Sequence, residues 1–263
     1  MSDIKSRVFD KTLTPFERLT ALIAVLRSPQ GCSWDRKQTH KSLLPYLIEE
    51  AYEVIEAVEA DNYDALRGEL GDLLCQVIYH GQLAKEAGLF DINDSVNHII
   101  EKLVQRHPHV FGEQKNLTPK QVKDQWEKLK IESGENESVL AGIPSTMPAL
   151  TMAYRIGEKA GGVGFDWHDA AEVIDKLNEE LQEISKALVS KDKLKLSEEI
   201  GDLLFAVASM ARKLEIDPEQ ALRKSLRKFR QRFEKLQQEI TQSGKKFEDF
   251  SIEQLEEIWQ KIK

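Results

Sequence analysis

One pattern of acids occurs twice in this chain. Glu49-Glu50-x-x-Glu53 is followed by Glu69-x-x-Asp72, and Glu179-Glu180-x-x-Glu183 by Glu199-x-x-Asp202, each residue of the second set 130 positions after its counterpart. On a helix, residues three apart share a face, with Cβ atoms about 5–6 Å apart. Each cluster therefore projects two carboxylates from one helix and two from the next. A short connection makes such helices antiparallel neighbours, so four oxygen-bearing groups converge. Converging carboxylates repel each other in a partly dry site. A hard divalent cation relieves that repulsion, and all-oxygen ligation suits Mg²⁺, with Mn²⁺ as a substitute. The expected metal ligands are Glu50, Glu53, Glu69 and Asp72 in one half and Glu180, Glu183, Glu199 and Asp202 in the other.

The duplication extends beyond the acids. Trp34 and Trp167 open the two halves, Trp126 and Trp259 close them, and these pairs, like Lys130 and Lys263, are offset by 133. Thr14-Pro15-Phe16-Glu17, Thr118-Pro119-Lys120-Gln121, Asp217-Pro218-Glu219-Gln220 and Ser251-Ile252-Glu253-Gln254 each read as a helix start. Gly88 and Gly244 read as helix ends. Apolar residues recur at helical spacing, as in Leu222, Leu226, Phe229, Phe233 and Leu236. No alternating run bounded by turns suggests a strand. These signals predict an all-α fold of two tandem helical-bundle repeats, over 1–131 and 147–263. A Gly-, Ser- and acid-rich linker spans 132–146.

Composition narrows the function. The 263 residues carry a net charge of −8, which disfavours a general nucleic-acid binder; 41% hydrophobic residues suffice for a core. The N-terminus has no apolar stretch of signal-peptide type, and no run is long enough to span a bilayer. Cys32 and Cys75 have no CxxC spacing, so reduced thiols and a cytoplasmic protein are expected. No histidine follows a glutamate by three residues, which counts against a di-iron bundle site, and zinc-type clusters are missing. Gly71 and Gly201 sit within helical patterns, where Gly costs about 1 kcal/mol relative to Ala. They are expected to allow helices to approach closely.

The segments Cys32-Ser33-Trp34-Asp35, Glu49-Glu50-Ala51-Tyr52-Glu53, Gly68-Glu69-Leu70-Gly71-Asp72-Leu73-Leu74 and Arg106-His107-Pro108-His109-Val110-Phe111 carry a resemblance. So do Val163-Gly164-Phe165-Asp166-Trp167, Glu199-Ile200-Gly201-Asp202-Leu203-Leu204-Phe205 and Lys228-Phe229-x-x-Arg232-Phe233. Along nearly its whole length the chain resembles MazG-type nucleoside triphosphate pyrophosphohydrolases, members of an all-α superfamily. The resemblance implies hydrolysis of nucleoside triphosphates, ATP among them, to the monophosphate and pyrophosphate. It also implies a Mg²⁺ requirement, broad base tolerance, a homodimer and removal of unwanted nucleotides. Glu180, Glu183, Glu199 and Asp202 would then be catalytic, with Lys228 and Arg232 balancing phosphate charge. Glu179, Glu198, Trp259 and Lys263 would contact substrate, and Lys102 and Arg106 are the first-half counterparts of the cationic pair. His107 and His109 fit a structural or phosphate-facing loop better than a metal site. Ser209 and Leu226 stand where relatives frequently carry Asn, removing two amides from sugar or base recognition.

Both halves keep their carboxylates, and the second is weakly favoured because Lys228 and Arg232 accompany them. Two other readings remain at this level. One is a helical scaffold acting through protein contacts; the other is a narrower dUTP or phosphoribosyl-ATP pyrophosphatase. The basic stretch Arg223–Lys235 would suit nucleic acid only against the chain's overall acidity.

Overall fold

Thr14 starts the first long helix by reciprocal bonding. Its hydroxyl accepts from the Glu17 amide at 3.3 Å, and the Glu17 carboxylate accepts from the Thr14 amide at 2.8 Å. Thr118 with Gln121 and Ser251 with Gln254 repeat the exchange, and the Asp217 carboxylate accepts from the Gln220 amide at 2.9 Å. Gly88 and Gly244 turn the chain out of its helices at φ +69° and +72°, where a side chain would strain the backbone. The sequence-level start and stop signals are therefore obeyed locally.

The structure, a computed structural model, describes residues 2–112, 117–118, 121–122, 125 and 138–262. Trp126, Lys130, Lys263 and residues 132–137 of the expected linker lie outside them. Among the described residues every regular element is helical. No described helix is long and apolar enough to cross a membrane. The chain divides into two compact units, 1–116 and 117–263.

The first unit holds α1 (Ser2–Phe9), α2 (Pro15–Arg27), α3 (His40–Glu59), α4 (Tyr63–Glu86), α5 (Ile92–Arg106) and the single turn α6 (Pro108–Phe111). α3 and α4 run antiparallel. His40 at the start of α3 meets His80 near the end of α4, with Nδ1 atoms 2.8 Å apart. Ile23, Leu43, Ile78, Tyr79 and Ile92 form the core, flanked by Phe16, Leu19, Leu26 and Leu83. Gly81 lets α5 begin close to α4, since a Cβ there would lie 3.0 Å from that of Ile92. The buried Asp35 accepts from the Tyr79 hydroxyl, and Arg27 pairs with Glu86 at 2.7 Å.

The second unit holds α7 (Ala149–Gly162), α8 (Ala170–Ser190), α9 (Lys193–Lys213), α10 (Pro218–Gln242) and α11 (Ile252–Ile262). α8 and α9 are the counterparts of α3 and α4. α7 packs on α9, α10 on both, and α11 on α10. Val173, Ala187, Ala206, Ala208, Leu236 and Ile240 are buried. Asp166, ahead of α8, is bound by Arg212 and Lys213 at the end of α9. The buried Lys159 donates to the Ala141 carbonyl at 2.7 Å, pinning the segment before α7.

Ile78 is fully buried on α4. Ile78→Ala should therefore cost about 2–5 kcal/mol, the range for truncating such a side chain. Urea unfolding followed at the first unit checks this, and an unchanged midpoint would contradict the core described.

Candidate functional site

Antiparallel pairing brings the acids together. Glu50, Glu69 and Asp72 each place one carboxylate oxygen within 4.8 Å of the others, and Glu180, Glu199 and Asp202 do the same. Glu53 and Glu183 stand beside these triads. Glu53 lies within hydrogen-bonding range of Glu50 and Glu69, and Glu183 within range of Glu199.

Burial first, then the neighbouring acids, pushes the Glu50, Glu69 and Glu199 carboxyls above the usual carboxylate range. For Glu50 the strongest neighbour is Asp72, and for Glu69 it is Glu53. For Glu199 the strongest is Glu183, with Lys195 acting in the opposite direction.

The two clusters differ in burial. Glu50 and Glu69 are half-buried, whereas Glu180 is 2% and Glu199 7% exposed. Glu180 is held from its own helix: Lys176 Nζ lies 2.6 Å from Glu180 Oε1 and 3.0 Å from Glu179 Oε1. Hydrogen bonds to Glu180 and then Glu179 raise the affinity of Lys176 for its proton. Glu180 Oε2 is buried with no hydrogen-bond partner. A buried carboxylate oxygen left bare is costly unless a cation or donor completes it. An oxygen-only triad with that orphaned atom fits a hard divalent cation, with Glu180, Glu199 and Asp202 as the residues that would hold it.

The remaining expected residues are spread more widely. Lys228 is exposed and Arg232 half-buried on α10; neither forms an ion pair with the carboxylates among the described residues. Glu198 is exposed on α9. Trp259 is half-buried, its ring 5.2 Å from that of Phe229, which in turn stacks on Phe233. Lys102 and Arg106 are half-buried on α5, and His107 Nδ1 lies 2.6 Å from the Leu103 carbonyl. Gly71 and Gly201 correct the expectation of close helix approach, because a Cβ at either would meet nothing within 4 Å. Both lie on the exposed sides of their helices. Ser209 is 1% exposed with its hydroxyl unpartnered, while Leu226 faces outward.

Lys176 was missed by sequence reasoning. Its signal was the ordinary i, i+4 spacing to Glu180, which is indistinguishable from a solvent-facing helix pair until the burial of Glu180 is seen.

Two segments of the chain, 38–111 and 169–237, match the MazG nucleotide pyrophosphohydrolase domain, one in each unit. Each matched segment contains one triad. The chain belongs to the MazG nucleotide pyrophosphohydrolase family. It is 49% identical over 250 residues to the nucleoside triphosphate pyrophosphohydrolase/pyrophosphatase MazG of Thermotoga maritima, covering 94% of this chain and 95% of that one. It is 40% identical over 259 residues to the nucleoside triphosphate pyrophosphohydrolase of Escherichia coli K12, covering 95% and 98%.

Raised carboxyl pKa values mean that the folded state holds protons more tightly than the unfolded state. Their contribution to stability is present below the ordinary value of about 4.3 and is lost as pH rises through the raised values. In metal-free protein, Glu50→Gln should therefore raise the melting temperature at about pH 8. That gain should shrink toward nothing near about pH 4, where the carboxyl is protonated anyway. Thermal melts in chelator across this range check it, and a lowered melting temperature at the alkaline end would contradict the repulsion.

Proposed function

We propose that this protein hydrolyses nucleoside triphosphates, ATP among them, to the monophosphate and pyrophosphate in a Mg²⁺-dependent reaction. Mn²⁺ serves as a substitute, and tolerance of the base is broad. The observation that carries this reading is the buried Glu180, one oxygen on Lys176 and the other bare, grouped with Glu199 and Asp202. Family membership supports the reaction class, and the names of the Thermotoga and Escherichia relatives agree with it.

When bound, the divalent ion would supply Lewis-acid stabilisation of phosphate oxygens and lower the pKa of a water. The chain's own part is to hold that ion through Glu180, Glu199 and Asp202. Glu183, beside Glu199, would take the proton of the attacking water. Arg232 and Lys228 share one face of α10, where Arg offers a fork matched to phosphate oxygens and Lys a point charge. They would balance the charge of the departing pyrophosphate. Glu179, Glu198 and Trp259 would border the nucleotide, together with Lys263, while Lys102 and Arg106 would line the first-half cluster. The second unit is the working site, and the first supports folding or assembly.

Assembly is read as a homodimer. Leu70, Leu74 and Val77 on α4, and Ile200, Leu204 and Val207 on α9, are exposed at helical spacing. Such stripes are larger than a lone helical unit normally leaves to water, and a second copy would cover them. We place the protein in the cytoplasm, clearing unwanted nucleotides, with no role at membranes or on nucleic acid.

Pyrophosphate release from a nucleotide panel with Mg²⁺ tests the reading. Glu180→Gln/Glu183→Gln should lose about a hundredfold or more, as expected when a metal-holding carboxylate and the proposed base lose their charge. Glu50→Gln/Glu53→Gln should retain most of the activity. The reverse pattern would move the working site to the first unit. No release from any nucleotide, with Mg²⁺ or Mn²⁺, would overturn the enzymatic reading in favour of a helical scaffold. Release from a single nucleotide would make it a narrow pyrophosphatase.

A further inference from the structure

The two carboxylate clusters are built from the same acids but differ in the cations around them. In the second unit, Lys176 sits 2.6 Å from Glu180 Oε1 and 3.0 Å from Glu179 Oε1. Lys195 lies one turn before Glu199 on α9. The positions 130 residues earlier are Tyr46 and Ala65. Tyr46 is neutral and packs edge-on against Trp34, with ring centroids 5.9 Å apart. Among the described residues, no Lys or Arg is ion-paired with Glu50, Glu53, Glu69 or Asp72. Among the described residues, four acids therefore stand without an ion-paired cation in the first unit, and four stand with a tethered ammonium in the second.

We propose that Lys176 is a built-in counter-cation that makes the chain's two divalent-ion sites unequal, tight at Glu50–Glu69–Asp72 and weaker at Glu180–Glu199–Asp202. This rests on the metal-binding reading of both clusters. A buried carboxylate is costly without a partner charge, and Lys176 sets an ammonium against Glu180 without any ion bound. An arriving divalent cation then either works against a positive charge a few ångströms away or takes Glu180 Oε1 from it. At the first cluster it meets only acids, and its arrival relieves their mutual repulsion. The Lys176 side chain is 37% exposed, so water screens part of its field. One charge at this distance, partly screened, corresponds to about a tenfold difference in affinity.

The test is a Mn²⁺ titration of the full chain without nucleotide, with free ion read by electron paramagnetic resonance. Two classes of site are expected: Glu50→Gln/Glu53→Gln removes the tighter and Glu180→Gln/Glu183→Gln the weaker. Lys176→Met should tighten the weaker class about tenfold, whereas Lys176→Arg, which keeps the charge, should leave it weak. Tyr46→Lys should loosen the tighter class by a similar factor, and it decides the matter if circular dichroism shows that Lys176→Met does not fold. Equal classes in the wild type would overturn the proposal. So would a weaker class that Lys176→Met leaves unchanged or loosens, since Lys176 would then merely hold Glu180 in place. Failure of either cluster to bind Mn²⁺ would instead overturn the metal reading on which the proposal stands.

Discussion

Charge repulsion across an antiparallel helix pair is the constraint to which the rest of this molecule answers. Four carboxylates on facing sides of two helices oppose the packing that brings them together. Apolar burial elsewhere along the same seam must therefore hold the pair closed. In the first unit that work falls to Leu43 and Ile78, both nearly fully buried beyond the acids. In the second, Val173, Ala187, Ala206 and Ala208 are the buried apolar residues of the two helices. The core and the site are thus successive layers of one interface, and the cost of the second is met by the first.

The two copies offset the same repulsion in different ways. The first leaves Glu50 and Glu69 half-buried, where water shares part of the charge, while burial and the neighbouring acids still make their carboxyls hold protons more readily. The second buries Glu180 and Glu199 and places Lys176 against Glu180. Deeper burial strengthens every electrostatic interaction in a site, including those with a bound anion and its metal. It also demands a standing counter-charge. The dryness of the second cluster and its fixed ammonium are consequences of one another.

Much of this was legible in the amino-acid order. The reciprocal caps at Thr14, Thr118 and Ser251, the stop at Gly88 and Gly244 and the i, i+3 carboxylates are local patterns, and a helix makes local patterns three-dimensional without further information. What was not legible depends on which face turns inward. Gly71 and Gly201 were expected at close helix contacts, yet they lie on exposed sides, because helical spacing fixes relative and not absolute rotation. Lys176 was overlooked for the same reason. The tie of Asp166 to Arg212 and Lys213 joins residues more than forty positions apart, and no spacing rule reaches that far. The meeting of His40 with His80 across α3 and α4 is equally long-range.

The placement of Lys228 and Arg232 completes the picture of a site assembled from separate parts. The carboxylates are fixed by the rigid α8–α9 pair, but the cationic pair rides on α10, whose apolar stripe of Leu222, Leu226, Phe229 and Phe233 is largely exposed. Phe229 nonetheless packs at a tilt against Trp259 and Phe233 stacks on Phe247, so the aromatic face of α10 is organised by α11 and the turn before it. Anything that seats this stripe also sets the distance between guanidinium and carboxylate. In the proposed reaction, substrate charge balance would therefore follow hydrophobic packing along α10.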